Sequence, residues 1–119
     1  MTKYLGRADI SYDGKKVGTL PGASLDLGGW ERKPVVLADG TVGYTESPKQ
    51  SELECDVPIS AETPVEDINN LVDATVTFRA DTGQTWLIRN AFRGDTLKFA
   101  AKDGGPMKIK INGNPAEKV

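Results

Sequence analysis

The 119-residue chain carries 15 Lys and Arg against 17 Asp and Glu, a formal net charge of −2, and has no histidine. That length suits one domain with one core, burying roughly 65% of the surface the unfolded chain exposes, and the near balance of charge excludes a surface built mainly to grip phosphates. A lone cysteine, Cys55, excludes a disulfide scaffold.

The head "MTKYLGRADI" has no apolar run of signal-peptide length, and no stretch approaches the ~18 apolar residues of a membrane span. Cytoplasmic synthesis without a membrane anchor is the expectation. In "GRADISYDGKKVGTL" two alternating runs flank Asp13-Gly14, a dipeptide suited to a tight hairpin turn. "ASLDL" reads as a strand with Leu25 and Leu27 on one face and Asp26 on the other, broken by Gly28-Gly29. From Gly28 to Pro48 runs "GGWERKPVVLADGTVGYTESP", too apolar for disorder and long for a loop in a small domain. Asp39-Gly40 at its middle suggests an extended hairpin. Trp30, Val35, Val36, Leu37 and Tyr44 would then be buried against another subunit, or against the chain's own barrel.

"SELECDV" alternates Glu52, Glu54 and Asp56 with Leu53, Cys55 and Val57, so three carboxylates share one side of a strand and Cys55 becomes a small buried hydrophobe. The stripe reads as a solvated face, paired across strands with Lys108 and Lys110, or as a functional surface. A helix over about residues 63 to 72 follows from "TPVEDINNLVD". Thr63 is its expected cap, Pro64 its first residue and Glu66 the partner in a capping box, with Val65, Ile68, Leu71 and Val72 on the apolar face. "TVTFRADTGQTWLIRNAF" gives strands near 74–80 and 84–92 around Asp81-Thr82-Gly83. "TLKFAA", the turn "KDGG" and "MKIKI" read as a closing hairpin, with Met107, Ile109 and Ile111 inward and Lys108 and Lys110 outward. The head "MTKYLG" and the tail "NGNPAEKV" read as further arms. About seven strands and one helix point to a mainly β antiparallel sandwich or barrel.

The catalytic inventory is thin. Without histidine the commonest general base and metal ligand are gone, and a buried Cys55 is a poor nucleophile. No phosphate loop or dinucleotide fingerprint is present, because Gly28-Gly29 and Gly104-Gly105 lie between strands. Arg93-Gly94-Asp95 spells an adhesive tripeptide, and its structural reading is a β-turn. Three carboxylates on a flat strand suit neither a glycosidase cleft nor a calcium loop. The expectation is a protein that is not an enzyme, with no cofactor and no metal.

The order of the hairpin "GRADISYDGKKVGTLPGASLDLGG", the long loop, the capped helix "TPVEDINNL" and "ATVTFRADTGQTWLIRNAF" resembles the tail tube proteins of contractile-tailed, Mu-like phages over nearly the whole chain. The resemblance implies a single domain over residues 1–119 whose loop 28–48 and termini join subunits. Hexameric rings would stack into a tube inside a contractile sheath, a virion component assembled in the bacterial cytoplasm, with sheath, baseplate and tail terminator proteins as partners. Genomic DNA would pass without sequence-specific binding. If Glu52, Glu54 and Asp56 face the lumen, sixfold symmetry gives about eighteen carboxylates per ring and a wall that repels DNA. Two other readings stand beside it. One is a tube subunit of a secretion system or phage-tail-like bacteriocin. The other is a monomeric ligand-binding barrel lined by Trp30, Trp86 and Tyr44.

Overall fold

The computed structural model describes residues 1–119 and is mainly antiparallel β-structure with one short helix. The strands are β1 (Ala8–Tyr12), β2 (Lys15–Val17), β3 (Ser24–Asp26), β4 (Gly29–Val36), β5 (Val42–Lys49) and β6 (Ser51–Val57). After the helix α1 (Val65–Asn69) come β7 (Ala74–Ala80), β8 (Thr85–Arg93), β9 (Met107–Gly113) and β10 (Glu117–Lys118). β4 and β5 form a separate two-stranded ribbon. The other strands make one curled sheet in the order β2-β1-β7-β8-β9-β6-β3, with β10 also pairing with β8.

The curl follows from β8. Its first part pairs with β7 through Thr85 to Ala91, and its end pairs with β9 at Phe92 and Arg93. Just before that end, where the β7–β8 register shifts between Ile88 and Ala91, Asn90 takes φ 53°, a left-handed conformation that Asn tolerates and that bends the strand. One wall of the core is Ile10, Tyr12, Val76, Phe78 and Ile88. The facing wall is Leu53, Cys55, Val57, Met107, Ile109 and Ile111, all buried in one apolar cluster. The connection from β2 to β3 crosses between the two edge strands of the sheet, and its Leu20 amide donates to the Asp56 carbonyl at 2.8 Å. The result is a small, partly closed barrel.

Turn chemistry behaves as its residues dictate. Asp13 and Gly14 have φ 46° and 81°, the paired positive values of a tight hairpin, and Gly83 has φ 99° between β7 and β8. At Gly28, φ is 70° and a Cβ would lie 2.6 Å from the Gln50 carbonyl oxygen. Only glycine fits where the chain leaves the barrel to start the ribbon and passes the point of its return.

Four local expectations are corrected. Residues 96–101 form no strand. β9 instead pairs with β6 along its whole length, and Asp103, Gly104 and Gly105 take three successive positive φ values, one more than a two-residue hairpin turn uses, which swings the chain away from an antiparallel return. Second, Thr63 does not cap the helix. Its hydroxyl accepts the Ser60 amide at 2.8 Å and lies 3.2 Å from the Pro58 carbonyl, a local turn that takes the hydroxyl from the helix amides. Pro64 is therefore the N-cap, not the first helical residue, and Glu66 sits in the first turn without closing a capping box. Third, Val72 is exposed, because the helix ends at Asn69 and only Ile68 and Leu71 of its apolar face are fully buried. Fourth, β3 stops at Asp26, and Leu27 lies partly exposed beyond it.

Candidate functional site

Two surfaces stand out. The first is the ribbon. Its register pairs Trp30 with Pro48, Arg32 with Glu46, Pro34 with Tyr44 and Val36 with Val42. Directly opposed residues of an antiparallel pair point to the same side, so these eight side chains form one face. The alternate pairs Glu31 with Ser47, Lys33 with Thr45 and Val35 with Gly43 form the other. One face is thus apolar apart from a single ion pair, and the other is largely polar. Arg32 Nε donates to Glu46 Oε1 at 3.0 Å, and the guanidinium lies over the Tyr44 ring at 5.8 Å.

At the tip, the Leu37 amide donates to the Thr41 carbonyl and the Gly40 amide to the Leu37 carbonyl. The Asp39 carboxylate accepts the Thr41 amide at 2.9 Å, which holds its pKa below the ordinary carboxylate value. At the base, Lys49 Nζ donates to Asp26 Oδ2 at 3.0 Å. Asp26 is held low first by the Gly28 amide and then by Lys49.

Apart from such links at its base, the ribbon packs on no other element of the chain. Trp30, Tyr44, Val36 and Val42 are each more than 60% exposed. The Cα radius of gyration is 17.4 Å, against roughly 13.5 Å for a compact chain of this length.

Of the loop residues singled out in the sequence, Trp30, Val36 and Tyr44 share the apolar face, Val35 lies on the opposite face, and Leu37 belongs to the tip. Pro34, Val42, Pro48 and the Arg32–Glu46 pair were missed. Their signal is the mirror pairing around Asp39-Gly40, which needs the loop length to be known first. Trp86 packs on Phe78 in the barrel, with ring centroids 6.1 Å apart, so it does not converge with Trp30 and Tyr44 on a common pocket.

The second surface is the outer face of β3, β6 and β9. Glu52, Glu54 and Asp56 point away from the core, since Ser51, Leu53, Cys55 and Val57 are the buried alternates. Across the strands Glu52 stands beside Asp26 and Asn112, Glu54 beside Ser24 and Lys110, and Asp56 beside Lys108. Lys110 Nζ reaches Glu52 Oε1 at 3.1 Å, and that hydrogen bond raises the lysine pKa. Asp95 and Lys98, from the loop between β8 and β9, border the same charged face. Cys55, on the inner side, is pushed up to about 12 by burial and then by the charge of Asp56.

Arg93 of the adhesive-looking tripeptide is spent internally. Its Nε donates to the Asn69 carbonyl at 2.8 Å and an Nη to the Asp95 carbonyl at 2.8 Å, tying the end of α1 to the loop after β8. The tail returns to the barrel: Glu117 and Lys118 pair with Leu87 and Trp86, and the Ala116 amide donates to the Leu27 carbonyl.

A projecting ribbon with a one-sided apolar face and a charged sheet face describe a building block, not a catalytic cleft. The family model for phage tail tube proteins matches residues 1–118. The chain belongs to the phage tail tube protein family. Members of this family are structural proteins, not enzymes.

Among its tail tube relatives, the Mu-like prophage FluMu tail tube protein of Haemophilus influenzae is 34% identical over 110 residues, covering 92% of this chain and 91% of the relative. The tail tube protein of Escherichia phage Mu is 28% identical over 114 residues, covering 96% and 93%. In fold, the chain is similar to a subunit of the sheath–tube complex of the extracellular contractile injection system PVC in its extended state. The TM-score there is 0.69 at 16% identity, over 98% of this chain and 90% of that one.

Proposed function

We propose that this tail tube protein assembles into stacked rings of six copies, forming the conduit for DNA ejection inside a contractile sheath. The observation that carries the reading is the ribbon: an exposed apolar face on an arm held to its own subunit only near its base, and a monomer gains by covering such a face. The ribbon (28–48) and the termini are the segments that join neighbouring copies. The N-terminal residues act as an arm, and the tail acts through the edge strand β10. Sheath, baseplate and tail terminator proteins are the partners, and the tube is built in the bacterial cytoplasm and becomes part of the virion. Its membership of the tail tube family and the likeness of its fold to a subunit of a sheath–tube complex support this reading.

In the assembled tube the face carrying Glu52, Glu54 and Asp56 lines the lumen. With Asp26 and Asp95 it holds five carboxylates, against Lys49, Lys98, Lys108 and Lys110, a net charge of −1 per subunit. The wall is then weakly repulsive and patterned, and it offers DNA no continuous row of cations through which to release counterions.

Size-exclusion chromatography and negative-stain microscopy of the purified protein test the assembly. Rings with six-fold class averages, and tubes at higher concentration or when baseplate is added, are expected. A monomer that stays single at millimolar concentration and on added baseplate overturns the reading. The related reading, a tube of a contractile injection machine with protein cargo, draws on the same fold likeness. It differs in what the tube contains when isolated loaded.

A further inference from the structure

The ribbon has two faces, and they are chemically unlike. One presents Trp30, Pro34, Tyr44, Val36 and Val42 around the Arg32–Glu46 ion pair, and the other presents Glu31, Lys33, Thr45 and Ser47, with Val35 as its one large apolar side chain. Fully buried aromatic side chains cover ~150–250 Å² each. Trp30 and Tyr44 are 62% and 64% exposed, so with the two valines and two prolines this face offers roughly 400–500 Å² of apolar surface. That is about half of the ~800 Å² per partner in a stable interface. It matches the largest apolar patch usual on a whole monomer, here placed on a two-stranded arm.

We propose that in the tube the ribbon docks on a second copy of this chain by the Trp30–Tyr44 face, with the Arg32–Glu46 pair enclosed in the contact and the Glu31–Lys33 face left to water. This deepens the assembly reading above and rests on it. A second copy is the occupant because the area is a substantial share of an interface and a tube is built by repetition of one subunit. The ion pair also satisfies itself within the arm, so the covering surface needs no counter-charge.

Enclosure changes what the ion pair does. On an exposed ribbon an Arg–carboxylate pair contributes little, and removing either partner is nearly neutral. Inside a contact, removing one partner strands a desolvated charge, whereas removing both leaves a well-packed apolar contact that is neutral or favourable. The pair therefore reports whether its face is covered.

The test measures the protein concentration at which tubes form, by sedimentation and electron microscopy, for the full chain and its variants. Glu46→Gln and Arg32→Met are each expected to raise it at least about tenfold. The double variant Arg32→Met/Glu46→Leu is expected to return to within about threefold of the parent. Tyr44→Glu should block assembly while Thr45→Glu, on the other face, stays within about threefold. Circular dichroism and thermal melting of the monomer separate misfolding from lost docking, and the ribbon's detachment from the core predicts unchanged melting for all five.

If Glu46→Gln assembles like the parent, or Thr45→Glu is as damaging as Tyr44→Glu, the inference is overturned while ring assembly stands. If the parent chain itself never forms rings, assembly and inference fall together.

Discussion

At the residue scale the core sets chemistry as well as stability. Cys55 sits among Leu53, Val57 and Ile109 in the buried cluster, and burial pushes its thiol up to about 12, because a thiolate there would lose its hydration without a cation to replace it. At pH 8 the folded chain should therefore react with iodoacetamide at least about a hundredfold more slowly than free cysteine, and at the free rate once unfolded in denaturant. The sign of the linkage follows. With the folded pKa above the unfolded value, the thiol contributes stability that is full below about pH 8.5 and falls away as pH rises towards 12. Replacing it, as in Cys55→Ala, should flatten stability between pH 9 and 11. Fast labelling of the native chain at pH 8 would mean that β6 opens locally and that Cys55 is not held in the core.

At the scale of elements, legibility depended on whether a local signal could fix the register. The Asp13-Gly14 and Thr82-Gly83 turns could, since two positive-φ positions or one glycine in a short loop leave few alternatives: β1 and β2 flank Asp13-Gly14, and β7 and β8 stand within a residue of the expected 74–80 and 84–92. The alternation in "MKIKI" placed its side chains but not its neighbour: β9 joins β6, some fifty residues earlier, and no periodicity encodes such a distant pairing. "TLKFAA" failed for the same reason. Its alternation asked for a strand, but the far edge of β9 already receives Phe92, Arg93 and the Gly94 amide. The arm was visible as an apolar segment around Asp39-Gly40, but its two faces were not. Counting Val35 with Trp30 and Tyr44 mixed the faces, since a one-residue change of register exchanges them.

Because the ribbon leaves and returns at Gly28 and Gln50, next to each other, it is separable. Replacing residues 30–48 by a short Gly-Ser link should keep the barrel's cooperative melting and change stability by less than about 1 kcal/mol. Tube formation should be abolished. Loss of the barrel's cooperative melting would show that the arm supports the fold.

For the whole molecule, the question is what the charged sheet face does when repeated around an axis. Its net charge of −1 per subunit is small, and in the proposed tube, with a Debye length of about 8 Å, only groups on strands that line the lumen would act on passing DNA, so pattern would matter more than the chain's overall −2. Lys110 is engaged by Glu52 at 3.1 Å, Lys49 by Asp26 at 3.0 Å, and Lys108 stands opposite Asp56. Carboxylates thus hold two of the face's four lysines, Lys49 and Lys110, while Lys98 and Lys108 form no ion pair.

Changing Glu52, Glu54 and Asp56 to lysine removes three negative charges and adds three positive ones, moving the face from −1 to +5. In a ring of six that amounts to roughly +30. The barrel should tolerate the change, because all three side chains point outward and exposed ion pairs contribute under about 1 kcal/mol each. Tubes of the triple variant should form at the parent's concentration and retain double-stranded DNA. Retention should weaken steeply between 50 and 200 mM salt, as counterion release requires. Phage carrying the variant should contract normally and deliver DNA slowly or not at all. Unchanged infectivity, together with tubes that bind no DNA at 50 mM salt, would place this face away from the lumen, on the outside of the tube or between subunits.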